Sequence, residues 1–203
     1  MPAYGRFGIA GVMAAWCAFA LVFVFRRWKT RGPSQTRDAV AWAGTALQGV
    51  ALGCIWGFRR TPLGAPLVRG YPTIDLVLVL ACVALAWLSA GMMFWAIHTL
   101  GRQWAVAARL VEGHELVTAG PYQFVRNPIY TGLFAIALAT AGVLSQPWTI
   151  AVAAPLFLAG TMVRVRAEER LLRERFGARY DEFARCVPAL LPRLRLASER
   201  DPR

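Results

Sequence analysis

Long runs without any charged residue constrain this chain more than any other feature of its sequence. They cover residues 7–25, 39–58, 76–101 and 127–163. A helix that crosses the hydrocarbon core of a bilayer needs about 20 mostly apolar residues, and the last run is about twice that length. Because Ser145-Gln146-Pro147 lies near its middle, we expect this run to form two spans joined by a tight turn.

The runs predict an all-α, polytopic integral membrane protein with about five transmembrane helices. These helices are expected at about residues 7–25, 39–58, 75–99, 128–144 and 148–164. We expect a single membrane domain over residues 1–203. Its first part, 1–100, holds three helices, and its second part, 101–203, holds a polar loop, the last helical hairpin and a C-terminal tail.

The basic residues indicate how the chain lies in the membrane. The net charge is +12, and 19 of the 23 basic residues fall on one side if the spans alternate. The other four are Arg6, Arg59, Arg60 and Arg69. This asymmetry predicts an N-terminus outside and a C-terminus in the cytoplasm, with the basic residues contacting anionic lipids rather than nucleic acid. Only Lys29 among them is not arginine, and such a preference for arginine is typical of a GC-rich bacterial genome. We therefore expect a bacterial inner-membrane protein.

The cysteines predict neither a metal site nor a disulfide. Three of them lie within predicted spans and the fourth lies in the tail: Cys17, Cys54, Cys82 and Cys186. They do not have the spacing of metal ligands. We therefore expect no bound metal.

The hairpin brings polar residues together at one membrane face. Two spans joined by a short turn return to the same side, so 127–130 and 164–169 must emerge close together. Asn127 is a good N-cap and Pro128 suits the first helical position, and the free N–H groups of such a helix start attract carboxylates. Glu168 and Glu169 suit a bound cation or ammonium group instead.

The tail from Glu168 to Val187 has a helical pattern. Its apolar residues recur every three or four positions, at Leu172, Phe176, Tyr180, Phe183 and Val187. We expect this amphipathic segment to lie on the membrane surface or to fold over the cytoplasmic opening. Gly177 weakens a continuous helix, so two shorter helices are the alternative.

Several spaced motifs in this half of the chain resemble one known family. They are His114-x-Leu116-Val117-Thr118-x-Gly120-x-Tyr122, Arg126-x-Pro128-x-Tyr130-x-Gly132, Glu168-Glu169, Phe176-Gly177-x-x-Tyr180 and Val187-Pro188. In order and in predicted topology they resemble the isoprenylcysteine carboxyl methyltransferases, which belong to a broader group that includes phospholipid methyltransferases. The resemblance covers residues from about 100 to 193.

The resemblance implies S-adenosylmethionine as methyl donor, bound at the cytoplasmic ends of the last two spans beneath the C-terminal helices. It implies a donor-binding wall formed by His114, Leu116, Val117, Tyr122, Asn127, Pro128, Ile129 and Tyr130. Glu168, with Glu169 beside it, is implied to meet the amino group of the donor. Arg164 is implied to face the carboxylate of the acceptor, and Arg126 has a structural or catalytic role that the resemblance does not separate.

One position departs from the family pattern, which has histidine where this chain has Asn127. Asparagine donates hydrogen bonds but takes up no proton near neutral pH, so a general base at this position is not expected. The departure leaves phospholipid-type relatives open as a model.

These observations predict an integral membrane methyltransferase that uses S-adenosylmethionine to methylate a lipophilic acceptor, such as the carboxylate of an isoprenylcysteine. Its partners would be a lipophilic or prenylated substrate and membrane lipids. One alternative is an NADPH-dependent membrane reductase of similar architecture. The other is a non-catalytic membrane protein that binds lipid in the same groove.

Overall fold

The computed structural model describes residues 3–29, 39–68, 70–101 and 116–192. Their helices are α1 (Ala3–Lys29), α2 (Ala39–Gly57), α3 (Pro72–Leu100), α4 (Pro128–Leu144), α5 (Pro147–Phe176) and α6 (Ala178–Cys186), with a 3₁₀ turn at Gly120–Gln123. These ranges contain no regular strand, and the only extended pairing within them is an isolated bridge between Arg59 and Ser145. The predicted all-α class is confirmed. The predicted donor-binding residue His114 lies outside the described residues.

The helices are those of an integral membrane protein. Four of them, α1, α2, α3 and α5, are long and apolar enough to cross a bilayer. Helix α4 has 17 residues, which corresponds to about 26 Å against a hydrocarbon core of about 30 Å. It begins and ends where the sequence predicts, because Asn127-Pro128 starts it and Ser145 leaves the helical conformation.

Helix α4 is the centre of the bundle, since both of its sides are packed. One side joins α1 and α3 in a core of Val12, Ala15, Ala86, Ala90, Met93, Ile136, Ala139, Val143 and Leu144. The other joins α2 and α5 in a core of Ala51, Ile55, Ala137, Ala141, Ala153 and Phe157. The many alanines allow close helix packing, as is common between membrane helices. Protein therefore surrounds much of α4, and its short length needs no match to the lipid.

Two interhelical hydrogen bonds fix the packing in the bundle. The Trp16 indole N–H of α1 donates to the Thr140 hydroxyl of α4 over 3.0 Å. The Gln48 amide of α2 donates to the Thr161 hydroxyl of α5 over 2.9 Å. Both bonds satisfy polar groups that would otherwise lie unpaired in an apolar environment.

Helix α5 extends well past the predicted end of its span at residue 164. It continues without a break to Phe176, and Gly177, at a φ of +53°, then turns the chain into α6. The sequence between 164 and 176 contains neither Gly nor Pro, so the helix has no reason to stop at the membrane surface. The tail therefore forms two helices, of which the first is the continuation of α5.

The two ends of the bundle differ in kind. At the turn end, formed by residues 58–68, 70–71 and 145–146, the buried Arg60 side chain donates to the carbonyl groups of Gly142 and Val143 over 3.1 and 2.7 Å. The Asp75 carboxylate there accepts the backbone N–H groups of Leu67 and Val68. These polar contacts close the ends of helices. The opposite end, where α3 ends and α4 begins, is open and is called the cleft end below.

Candidate functional site

A cleft lies at the cleft end, between the last turn of α3, the segment before α4, and the α5–α6 bend. It contains about 420 Å³ of unfilled space that is open to solvent. Its walls are formed by Leu100, Leu116, Val117, Tyr122, Arg126, Asn127, Leu172, Tyr180 and Phe183. Mostly apolar walls with a few polar groups are typical of small-molecule sites.

The 3₁₀ turn holds Tyr122 in the wall of the cleft. Gly120 starts the turn at a φ of +61°, where a Cβ would lie 2.8 Å from the Thr99 hydroxyl of α3. Glycine alone fits this close approach with a positive φ. Burial, and then the nearby charge of Glu168, raise the pKa of Tyr122. The phenol therefore keeps its proton, and Glu168 lies close to this wall of the cleft.

Arg126 and Glu169 form a clamp that fixes the C-terminal segment. Arg126 contacts one carboxylate oxygen of Glu169 through Nε at 3.1 Å and Nη2 at 3.0 Å. Its remaining nitrogen, Nη1, donates to the carbonyl groups of Ala184 and Val187. The backbone N–H of Arg126 donates to Pro188 O over 2.9 Å. With every guanidinium nitrogen engaged, Arg126 has the geometry of a structural residue.

Asn127 occupies the N-cap position of α4, but its side chain makes no capping hydrogen bond. Side-chain capping at Asn127, which the sequence favours, is therefore absent. The amide Nδ2 instead donates to Glu169 over 3.3 Å and to Ala189 O over 3.1 Å. The backbone N–H also donates to Ala189 O over 3.1 Å. The Asn127 side chain thus binds Glu169 and the segment after α6 instead of capping α4.

Glu168 has a different environment from Glu169. Its carboxylate accepts a hydrogen bond from the Tyr130 hydroxyl of α4. The closest Arg164 nitrogen lies 3.9 Å away, near the limit for an ion pair. The Arg164 guanidinium lies over the Tyr130 ring, with its Cζ 5.1 Å from the ring centroid. Arg164, Glu168 and Tyr130 are called the open cluster below, because one hydrogen bond and a distant arginine engage Glu168, whereas three nitrogens surround Oε1 of Glu169.

The structure brings many of the predicted site residues together. Four predicted donor-binding residues and Arg126 line the cleft: Leu116, Val117, Tyr122 and Asn127, with Arg126 beside them. Tyr130, Arg164 and Glu168 form the open cluster, and Glu169 joins the clamp. Pro128 is buried and Ile129 half-buried in the first turn of α4, outside the set of residues that line the cleft. The roles assigned to all of these residues stay predictions.

Four cleft-lining residues do not belong to the predicted site: Leu100, Leu172, Tyr180 and Phe183. The last three lie on the apolar face that the sequence shows in the tail, so that face is the signal that points to them. Tyr180 is 1% exposed. Among the described residues its hydroxyl makes no hydrogen bond of ordinary geometry, although the Glu169 carboxylate lies near enough to interact with it. Burial and the nearby charge of Glu169 raise its pKa, so it keeps its proton as a donor.

Comparison with known proteins gives a consistent result. Residues 79–174 match the model of the isoprenylcysteine carboxyl methyltransferase (ICMT) family. The chain is 34% identical over 99 residues to protein-S-isoprenylcysteine O-methyltransferase B of Arabidopsis thaliana, covering 48% of this chain and 50% of that protein. It is 31% identical over 99 residues to the protein-S-isoprenylcysteine O-methyltransferase of Saccharomyces cerevisiae, covering 48% and 41%.

A bacterial relative carries a different name. The chain is 35% identical over 120 residues to the nickel-cobalt-cadmium resistance protein NccN of Alcaligenes xylosoxydans xylosoxydans, covering 56% of this chain and 54% of that protein. The chain thus spans about half the length of the curated relatives it matches. The segment that matches the family model, residues 79–174, contains α4, most of α3 and α5, and the open cluster.

Proposed function

From the match of residues 79–174 to the isoprenylcysteine carboxyl methyltransferase family, we propose that the chain is an integral membrane methyltransferase of that family. It would transfer a methyl group from S-adenosylmethionine to a lipophilic acceptor. The observation that carries the proposal is the neighbourhood of the cleft and the open cluster. The charge of Glu168 contributes to the raised pKa of the cleft-lining Tyr122, and the carboxylate accepts from Tyr130 and has Arg164 3.9 Å away.

The residues of the cleft fit the proposed donor. A nucleoside needs apolar walls, which Leu116, Val117 and Phe183 offer, and a few donors that fix its orientation. The buried Tyr180 hydroxyl, which makes no hydrogen bond of ordinary geometry among the described residues, is such a donor. An ammonium or sulfonium group needs a carboxylate with remaining acceptor capacity, and Glu168 meets that requirement better than Glu169.

When bound, S-adenosylmethionine supplies a methyl group already activated on a sulfonium centre. The protein then has to bind, orient and exclude water rather than create a strong nucleophile. Tyr122, Asn127 and Tyr180 would orient the donor, and Glu168 would bind its amino group. Arg126, held in the clamp, would act by fixing the walls of the cleft.

For the acceptor we propose a lipophilic carboxylate, such as that of an isoprenylcysteine. A carboxylate is ionised at pH 7 and needs no general base, which agrees with asparagine at position 127. Arg164 would bind it, because a guanidinium matches the geometry of a carboxylate. An acceptor of this kind lies in the membrane and reaches the protein from there. The names of the plant and yeast relatives support this acceptor class, and neither they nor the family match supports a reductase.

We also propose an orientation in a bacterial inner membrane. The cleft end carries the excess of basic residues, so it would face the cytoplasm, where S-adenosylmethionine is present. The N-terminus would lie outside and the C-terminus inside. Reactivity of Cys186, which is exposed beyond α5, with an impermeant thiol reagent in sealed inverted vesicles but not in right-side-out cells would support this orientation.

The test is calorimetric titration of the detergent-purified protein with S-adenosylmethionine, S-adenosylhomocysteine and NADPH. We expect saturable binding of the first two and transfer of labelled methyl to an S-farnesylcysteine. The Kd for S-adenosylmethionine should rise at least about tenfold in Glu168→Gln and stay unchanged in the matched control Glu174→Gln, since Glu174 lies exposed on the same helix. Binding of NADPH alone, or equal effects of the two substitutions, would contradict the proposal.

A further inference from the structure

Helix α2 lies outside the segment that matches the family, yet it contacts the open cluster. Its contact with α5 is one of backbone against backbone at Gly44 and Gly160. A Cβ at Gly160 would lie 2.6 Å from Gly44 O. A Cβ at Gly44 would lie 2.6 Å from Gly160 O, and also 2.6 Å from Arg164 Cγ. The stem of Arg164 is therefore packed directly on the bare backbone of α2.

This contact limits where the Arg164 side chain can go. The backbone N of Arg164 would lie 3.2 Å from a Cβ at Gly44. The side-chain stem therefore leaves α5 directly beneath α2. The head of the same side chain lies over the Tyr130 ring, 5.1 Å from the centroid. Added volume at Gly44 has to move the stem or separate the helices, because rotamers are staggered and the stem has few alternative paths.

We infer that Gly44 is a positioning residue: by leaving room for the Arg164 stem, it sets where the guanidinium stands against Tyr130 and Glu168. The part of the inference that concerns the acceptor rests on the proposed function, in which Arg164 binds a carboxylate. Helix α2, which the family match does not include, would thereby help to position the group that binds the acceptor. The walls of the donor cleft come mainly from other elements, namely the 3₁₀ turn, α6 and the end of α3, with Leu172 of α5, while Glu168 of α5 would bind the donor's amino group.

A spectroscopic measurement tests the geometry without any substrate. The chain has five tyrosines, so fluorotyrosine labelling gives few ¹⁹F signals, and Tyr130→Phe assigns the one of interest. We expect Gly44→Ala to shift the Tyr130 signal because the cation above its ring moves. The matched control is Gly49→Ala on the same helix, where a Cβ meets nothing within 4 Å. It should leave the signal in place.

Two further variants separate a direct contact from a general opening of the interface. In an Arg164→Ala background, which lacks the Cγ atom, Gly44→Ala should no longer shift the Tyr130 signal. If Gly44→Ala does not fold, folding of Gly160→Ala, which meets the opposing backbone at the same 2.6 Å but not the Arg164 side chain, supports the inference, and failure of both variants to fold overturns it. Gly160→Ala opens the same interface without meeting the Arg164 side chain. An equal shift of the Tyr130 signal in Gly160→Ala would overturn the inference.

Kinetics tests the functional part. With an S-farnesylcysteine acceptor, Gly44→Ala should raise the KM for the acceptor about tenfold, since misplacement of a binding group by about 1 Å costs up to about 100-fold. The Kd for S-adenosylmethionine should stay within about twofold. A shifted Tyr130 signal with unchanged acceptor kinetics would overturn the role at the acceptor. A wild-type protein that transfers no methyl group would instead refute the proposed function, and the ¹⁹F result would still decide the geometry.

Discussion

Two arginine–glutamate pairs lie side by side at the cleft end, and they differ in how completely the protein satisfies them. The Arg126–Glu169 pair is made through two nitrogens at 3.1 and 3.0 Å, and Asn127 adds a further donor at 3.3 Å. The Arg164–Glu168 pair is a single approach of 3.9 Å. Adjacent glutamates on one helix thus differ in environment: Glu169 is held in the clamp, and Glu168 has the looser contacts that suit the donor-binding role proposed for it.

The difference arises from the tail rather than from the glutamates themselves. Arg126 and Asn127 bind the carbonyl groups of residues 184, 187 and 189, so they are drawn towards α6 and towards Glu169. Arg164 packs beneath α2 and points to Tyr130. A closely satisfied ion pair fixes both side chains, whereas Glu168, 3.9 Å from its arginine, retains lone pairs that can accept from a ligand.

Removing the clamp should have the largest effect on stability. Arg126→Ala leaves the Glu169 carboxylate, 14% exposed, without its main partner and frees two carbonyl groups. We expect a loss of about 3 kcal/mol of unfolding free energy, measured by thermal or denaturant unfolding in detergent. Arg170→Ala, at an exposed position on α5, is the control and should change little. Equal stability of the two variants would show that the clamp is not structural.

The turn end offers a comparison in which stability and ligand binding separate. Arg60→Ala removes hydrogen bonds to Gly142 and Val143, and we expect a loss of about 2 kcal/mol. The neighbouring Arg59→Ala, at an exposed position, should cost much less. Titration with S-adenosylmethionine should give the same Kd for both variants. A higher Kd for S-adenosylmethionine in Arg60→Ala alone would mean that the turn end and the cleft end are coupled.

A third change should affect binding and stability in opposite directions. Tyr180→Phe removes a buried hydroxyl that makes no hydrogen bond of ordinary geometry among the described residues, so the free energy of unfolding should stay the same or rise slightly. If this hydroxyl orients the donor, the Kd for S-adenosylmethionine should rise about tenfold, as for a lost hydrogen bond of about 1.4 kcal/mol. Lower stability with unchanged affinity would contradict this role.

The smallest effect is expected at the α5–α6 bend. Arg173 and Asp181 form an ion pair of 2.7 Å, but both side chains are about half exposed. Water and salt screen such pairs, and holding two mobile side chains costs entropy. Asp181→Asn should therefore leave Tm and donor affinity unchanged within error. A clear fall in either would show that this exposed pair, and not only the clamp, holds α6 in place.

Much of the fold follows from local signals in the sequence. The uncharged run of 127–163 with a Ser-Gln-Pro turn predicts the α4–α5 hairpin, because breaker residues and apolar length act within a few residues. The same signals bring 127–130 and 164–169 to one end. The sequence predicts a span that ends at about residue 164 and a helical tail from Glu168, and α5 joins the two because the helix has no breaker before Gly177.

The difference between the two glutamates is beyond such reasoning. Sequence places Glu168 and Glu169 together and assigns both to the donor. Their partners depend on Arg126 reaching Ala184, 58 residues away, and on Gly44 packing against Arg164. Contacts over such separations are set by the assembled fold, and no local pattern reports them. For the same reason Tyr180 reads as part of an apolar helix face in the sequence and becomes a cleft residue only in three dimensions.

The most direct measurement compares Glu168→Gln with Glu169→Gln in one set of titrations and unfolding curves. Both substitutions remove one charge from the same turn of α5, so they are matched controls for each other. Glu168→Gln should raise the Kd for S-adenosylmethionine by at least about tenfold, a loss typical of a charged hydrogen bond, with little change in stability. Glu169→Gln should mainly lower the unfolding free energy. The reverse pattern, or the same effect from both, would contradict the account.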